Sequence, residues 1–179
     1  MNSSNESHAS ENGVVSSTDP AVVARRRRLT RAFYAGASAG LRTFTVPAAA
    51  LRAKDNAWAP LFASLARTEL IYDKMPDVPS RLSARGLIFR AITASASAAA
   101  LATRKEPQWV PLVAAALVAA SVTAVAGATA RVRGAKGGIP DFVIAAIEDQ
   151  LAAMWAERAF AGTQAVRDQE PATKTLSLL

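Results

Sequence analysis

The stretch Ile139-Pro-Asp-Phe-Val-Ile-Ala-Ala-Ile-Glu-Asp-Gln-Leu-Ala-Ala-Met-Trp-Ala156 sets three carboxylates into a long apolar run. Asp141 and Glu148 lie seven residues apart on one helical face, and Asp149 points about a third of a turn away. A charge at the centre of a membrane helix costs roughly 2.5–3.5 kcal/mol, so these groups need partners inside a bundle. The candidate partners are cations in other apolar segments: Arg42, Arg67 and Arg90.

Composition favours a helical membrane protein over a large soluble core. The chain has 179 residues, of which 51% are hydrophobic but only 6% aromatic, and alanine supplies much of the apolar count. Small residues suit close helix packing in lipid. The chain has no cysteine, and its one histidine, His8, lies in a polar tail. We therefore expect neither catalysis nor a cofactor, and the sequence leaves open whether the carboxylates bind a metal ion.

Five apolar segments predict an all-α fold, an integral membrane bundle of four to five spans. Residues 1–28 are expected to form a disordered basic cytoplasmic tail, 29–161 the helical membrane domain and 162–179 a flexible C-terminal tail. The segments are 29–51, 57–72, 86–103, 107–130 and 139–160, and structural breaks are expected at Pro47, Pro76, Pro79 and Pro140.

The loop charges predict an orientation for this bundle. Arg25 to Arg28, together with two of the four loops, carry most of the cations around the apolar segments, which predicts a cytoplasmic N-terminus. The side of the C-terminus stays open, because the fifth segment either spans or is re-entrant. Since the cations cluster between apolar segments, the net charge of +7 does not indicate nucleic-acid binding.

Gly40-Leu-Arg-Thr-Phe-Thr-Val-Pro47 combines a cation, two hydroxyls and a helix breaker. Arg42 is a candidate to bind an anion or to pair with a carboxylate of the fifth segment. Thr43 and Thr45 can satisfy backbone groups that the proline frees, or line a polar cavity. The alternative is a structural kink with an arginine that reaches the surface.

Glu69-Leu-Ile-Tyr-Asp-Lys-Met-Pro-Asp-Val-Pro-Ser-Arg81 is a second charged cluster. Glu69 and Asp73 share a helical face, where paired carboxylates can hold a cation or share a proton. Lys74 follows directly. The alternative is a helix end at the membrane interface, neutralised by Lys74 and Arg81.

Ala35-Gly-Ala-Ser-Ala-Gly-Leu-Arg42 matches Ala126-Gly-Ala-Thr-Ala-Arg-Val-Arg133 at five of eight positions. Under the loop-charge topology the two copies run in opposite senses, as in the inverted repeats of transporters. Chance matching between alanine-rich helices is the alternative.

The run Gly40–Ala48, the Asp-Lys-Met-Pro-Asp-Val-Pro-Ser-Arg motif and Gly138-Ile-Pro-Asp followed by Glu148-Asp149 occur in that order. In this they resemble small bacterial multi-pass membrane proteins catalogued as domain of unknown function 4126, over about residues 33 to 160. The resemblance implies a bacterial inner-membrane protein and supplies no activity. Arg67 and Arg90, inside apolar segments, depart from the family pattern.

Two functions are consistent with this pattern. The first is a small ion or solute transporter or channel in a lipid bilayer, for which a homo-oligomer is one arrangement that the sequence allows. Its candidate binding residues are Arg42, Thr43, Thr45, Glu69, Asp73, Lys74, Asp141, Glu148 and Asp149. The alternative is a structural or partner-binding membrane protein whose charges pair internally.

Overall fold

The computed structural model describes residues 19–72, 83–102 and 109–161. These residues form six helices and no strand, which confirms the all-α class for the described part of the chain. The helices are α1 (Pro20–Leu41), α2 (Thr45–Ala53), α3 (Ala59–Tyr72), α4 (Ala84–Ala99), α5 (Trp109–Lys136) and α6 (Asp141–Phe160). Six residues discussed above lie outside the described ranges: His8, Asp73, Lys74, Pro76, Pro79 and Arg81.

The predicted first segment is two helices, separated at residues 42–44. Arg42 leaves the helical conformation, with φ −140° and ψ 124°, and α2 begins at Thr45. Pro47 is therefore the third residue of α2, in the first turn, where a missing N–H costs no helical hydrogen bond. The break lies before the proline rather than at it. Pro140 is the N-cap of α6.

The first helix starts earlier than the sequence predicts. Asp19 caps α1 by accepting a hydrogen bond from the Ala21 N–H at 2.8 Å, and Pro20 occupies the first helical position. Both features favour helix initiation. Arg25 to Arg28 are therefore helical, and do not belong to the disordered tail expected for residues 1–28. Residues 1–18 lie outside the described ranges.

Helix α1 is central, and it packs most extensively against α5, then against α6 and α4. Its contact with α5 is very close: a Cβ atom on Gly36 would lie 2.0 Å from the Ala116 carbonyl oxygen. A Cβ on Gly40 would lie 2.0 Å from Thr123 Oγ1. Small residues four apart let two helix backbones approach in this way. The Thr123 hydroxyl donates to the Ala37 carbonyl at 2.9 Å across the same contact.

Many large apolar side chains lie on the outside of this bundle, and its interior is filled mostly by small residues. The buried core is mostly alanine, and its largest fully buried side chains are Arg42, Val46 and Ser38. The exposed large apolar side chains of α4, α5 and α6 include Leu87, Ile88, Phe89, Ile92, Trp109, Val110, Val118, Val122, Val125, Val132, Phe142, Val143 and Ile147. This is the reverse of the usual distribution in soluble proteins.

One described helix, α5, is long and apolar enough to cross a membrane by length and composition, so four to five spans are not confirmed. Helices α2, α3 and α4 have 9, 14 and 16 residues, fewer than the about 20 that a span needs. Helices α1 and α6 are longer, but each carries several charged residues.

A tight turn folds α6 back on α5. Gly138 has a φ of 73°, and its N–H donates to the Ala135 carbonyl at 3.2 Å, while the Ile139 N–H donates to Gly134 at 2.9 Å. This pair of bonds is the Schellman helix ending, which favours glycine at the left-handed position. The turn brings the end of α5 beside the start of α6.

The two repeat copies lie in α1 and in the C-terminal half of α5. Gly36 and Gly127 occupy equivalent positions in the copies, and both are buried where another group approaches closely. Arg42 and Arg133 are also equivalent, but Arg42 is buried and Arg133 exposed. The copies share a packing role, and the inverted repeat stays a prediction.

We expect Gly36→Ala to lower the free energy of unfolding by about 1–3 kcal/mol, because the added methyl group would overlap the α5 backbone. Gly137→Ala is the control, since its Cβ would meet its nearest neighbours at an ordinary 3.5 Å. Thermal unfolding of the purified protein in detergent measures both. Equal stability of the two variants would contradict the close α1–α5 contact.

Candidate functional site

The break at residues 42–44 exposes the backbone polar groups of two helix ends inside the bundle. Glu69 of α3 meets the start of α2. One of its carboxylate oxygens accepts a hydrogen bond from the Thr43 N–H at 2.8 Å, and the other accepts from the Phe44 N–H at 3.0 Å. The negative charge of Glu69 lies at the positive end of the α2 dipole, where it is stabilising.

Arg90 of α4 meets the other side of the break. Its guanidinium donates a hydrogen bond to the Gly40 carbonyl, near the end of α1. The negative end of a helix dipole favours a cation there. Arg90 is buried, so a positive charge is placed beside the helix end with little contact with solvent. Oppositely charged residues thus compensate the two ends of the broken helix.

Arg42, the first residue of the break, forms an ion pair with Asp149 of α6. The arginine side chain is 2% exposed and the aspartate side chain 13% exposed. The extended backbone of Arg42 turns the chain out of α1 at this point. A buried ion pair joins the break to the last helix, and water screens it little.

Arg131 of α5 holds two carboxylates of α6. Its Nη2 and Nε atoms lie 2.8 and 3.2 Å from Glu148 Oε2, and its Nη1 lies 3.1 Å from Asp141 Oδ2. The Glu148 side chain is 5% exposed, whereas that of Asp141 is 60% exposed. One guanidinium therefore links a buried carboxylate to one at the surface.

Gly127 provides the space that Glu148 occupies. A Cβ on Gly127 would lie 2.8 Å from Glu148 Oε1 and 3.3 Å from a methyl group of Leu41. Even an alanine would force the carboxylate to move. The Glu148 carboxylate thus lies directly against the α5 backbone at Gly127.

Most of the candidate residues come together at or beside the break. Arg42, Asp149 and Glu69 meet there, as do the backbone groups of Thr43, whereas Thr45 is the half-buried first residue of α2. Asp141 and Glu148, which the seven-residue spacing places on one helical face, both pair with Arg131. Asp73 and Lys74 lie outside the described residues.

The three candidate cations lie in different surroundings. Arg42 pairs with an acidic residue of the last helix, as expected. Arg67 is exposed on α3, and Arg90 contacts a backbone carbonyl instead of a carboxylate.

Sequence reasoning missed Arg131, which looks like an ordinary loop cation at the end of an apolar segment. The signal lies in the turn. Arg131 and Asp141 flank the Gly134–Gly138 region at similar distances along the chain, so a tight hairpin brings them together. It also missed Ser38, whose hydroxyl donates to the Ala152 carbonyl at 2.7 Å and joins α1 to α6.

The site is a network of ion pairs and capped helix ends. Its cations are the buried Arg42 and Arg90 and the half-buried Arg131, and its acidic groups are Glu69, Glu148 and Asp149, with Asp141 at the exposed edge. Among the described residues, no three acidic or histidine side chains are grouped to hold a metal ion.

No protein-family model, curated protein or solved structure matches this chain. The resemblance to the bacterial membrane family therefore stays a prediction, carried by its motifs alone.

We expect Glu69→Ala to lower the free energy of unfolding by about 1–3 kcal/mol, because two backbone N–H groups at the break lose their acceptor. Glu69→Gln keeps one acceptor oxygen and should recover part of this loss. Glu157→Ala, at an exposed position of α6, is the control. If chemical unfolding gives the same midpoint for all three variants, Glu69 does not hold the start of α2.

Proposed function

We propose that the protein is an integral membrane protein that moves a small ion or solute, with coupling through its buried carboxylates. The observation that carries this proposal is the break between α1 and α2, where both helix ends face a buried charged cluster. Secondary transporters place their binding sites at discontinuous helices of this kind, because helix ends supply partial charges inside the bilayer.

The surface of the bundle supports a place in the bilayer. Val118, Val122 and Val125 form an exposed stripe on α5, and α4 presents Phe89 and Ile92. Soluble monomers rarely expose apolar patches larger than a few hundred Å². Lipid chains, or a second copy of the protein, would cover these side chains. In the proposed arrangement the basic start of α1 lies in the cytoplasm of a bacterium and the bundle spans its inner membrane.

The Asp141–Arg131–Glu148 chain suggests a coupling mechanism. When Glu148 takes up a proton or a cation, its attraction for Arg131 weakens, while Arg131 keeps its ion pair with the exposed Asp141. When Glu148 releases it, Arg131 binds both carboxylates again. The network thus has two arrangements that differ in the charge at a buried carboxylate. Coupling requires that the transported species prefer one of two such states.

We expect Glu148→Gln to abolish proton or cation flux in proteoliposomes, because an amide cannot exchange a proton at this site. Arg42→Ala should do the same by removing the partner of Asp149. Glu157→Gln is the matched control and should leave flux unchanged. Size-exclusion profiles in detergent and resistance to carbonate extraction must be normal for each variant. Wild-type flux in both site variants would exclude this mechanism.

A second candidate function is a structural or partner-binding membrane protein without transport. It is favoured by the direct pairing of Arg42 with Asp149 and of Arg131 with Glu148. Charges that serve only to specify helix packing need a complementary partner, whichever helix carries which sign.

The exchange Arg42→Asp with Asp149→Arg tests this second function. Each single variant should fold poorly, because it buries two like charges together. The double variant should recover the folded yield if the pair is structural. No form of the protein, wild type included, would then show flux. A double variant as unstable as the single ones would count against the structural function.

A further inference from the structure

A cavity of about 510 Å³ lies between the N-terminal half of α1 and the end of α6. Four arginines from the two helices line it: Arg26, Arg27 and Arg31 of α1, and Arg158 of α6. The volume falls within the roughly 300–1,000 Å³ typical of ligand pockets. None of these four residues belongs to the network at the helix break.

The cavity has one anchored cation and three exposed ones. Arg31 is half-buried, and its guanidinium donates a hydrogen bond to the Ala161 carbonyl at the end of α6. This bond holds the Arg31 side chain against the end of α6. Arg26, Arg27 and Arg158 are exposed, so their side chains have room to turn toward a guest. The combination suits an oxyanion, which several guanidinium groups can bind through paired hydrogen bonds.

The position of the cavity favours a lipid headgroup over a free ion. Tyr34 lines the cavity one turn beyond Thr30, and its neighbour Phe33 is exposed, with the two rings in edge contact. From there on, α1 carries no charge until Arg42. Arginines on one side and aromatic rings on the other are typical of the membrane interface. Basic pockets between helices at this level bind acidic headgroups.

We propose that this cavity binds the phosphate headgroup of an anionic phospholipid, at the cytoplasmic surface of the bilayer. The inference rests on the membrane location proposed above, but not on transport. The guanidinium groups of Arg26, Arg27 and Arg158 would close around the phosphodiester, beside the anchored Arg31. The acyl chains would leave the cavity beside the exposed ring of Phe33.

Native mass spectrometry of the full-length protein in neutral detergent tests this inference. The protein is titrated with phosphatidylglycerol, with phosphatidylcholine of the same chain length and with inorganic phosphate. The triple variant Arg26→Gln, Arg27→Gln, Arg158→Gln is compared with Arg25→Gln, Arg52→Gln, Arg133→Gln. The second set removes the same charge from exposed arginines that do not line the cavity.

The expected result is one bound phosphatidylglycerol, with affinity reduced on the order of tenfold to a hundredfold in the cavity variant. In the control variant the affinity for phosphatidylglycerol should differ from that of the wild type by about twofold or less. Equal loss in both variants would show diffuse charge attraction and overturn the site. If phosphatidylcholine binds as tightly as phosphatidylglycerol, the net charge of the lipid does not determine binding. If inorganic phosphate binds as tightly, the cavity is a phosphate site and not a lipid site. Either result would overturn the proposal. Failure of the flux prediction leaves this result unaffected, because the variants share no residue.

Discussion

The close contact of α1 with α5 is the constraint on which the rest of the structure depends. Gly36 and Gly40 let the α1 backbone lie directly against Ala116 and Ala120, with no side chain between. Helix pairs of this kind are held by van der Waals contact and by hydrogen bonds such as that from Thr123 to the Ala37 carbonyl. An interior this narrow is filled mostly by alanine, with a few larger apolar residues such as Leu41, Leu112 and Phe160. Many other large apolar side chains lie outside, and the larger buried side chains include arginine.

The same narrow interior explains why the helix break needs charged partners. A break inside a core leaves carbonyl and N–H groups that water cannot reach, and each costs free energy unless it finds a partner. Glu69 and Arg90 supply those partners with charges that also match the helix dipoles. A consequence is that the helix ends are already occupied. A transported anion would have to displace Glu69, and a transported cation would have to displace Arg90.

The sequence predicts the helices well because their signals are local. Long apolar runs, the glycines before Ile139 and the Arg42 region mark five segments and a break that the structure contains. The sequence predicts poorly the features that depend on residues distant in the chain, and it does not give the exact ends of helices. The break falls at residues 42–44 and not at Pro47, because the proline fits the first turn of α2. Because Asp19 caps α1, the helix begins before Arg25 to Arg28 and includes them, although the composition of residues 1–28 suggests disorder. The pairing of charges shows the same limit: spacing places Asp141 and Glu148 on one face, but it does not reveal that Arg131 lies opposite them.

Stability is a weak explanation for a buried network of ion pairs. Well-packed apolar residues of similar volume often replace a buried ion pair without loss, and sometimes with a gain of stability. An alanine at position 127 would also fill space that the glycine instead leaves to the Glu148 carboxylate. The contacts of Arg131 are asymmetric, because it binds one carboxylate in the interior and one at the surface. Asp141 lies in the first turn of α6, so its charge also stabilises the positive end of that helix. Under the proposed transport function Asp141 has a further role, because it gives Arg131 a counter-ion while the charge of Glu148 changes.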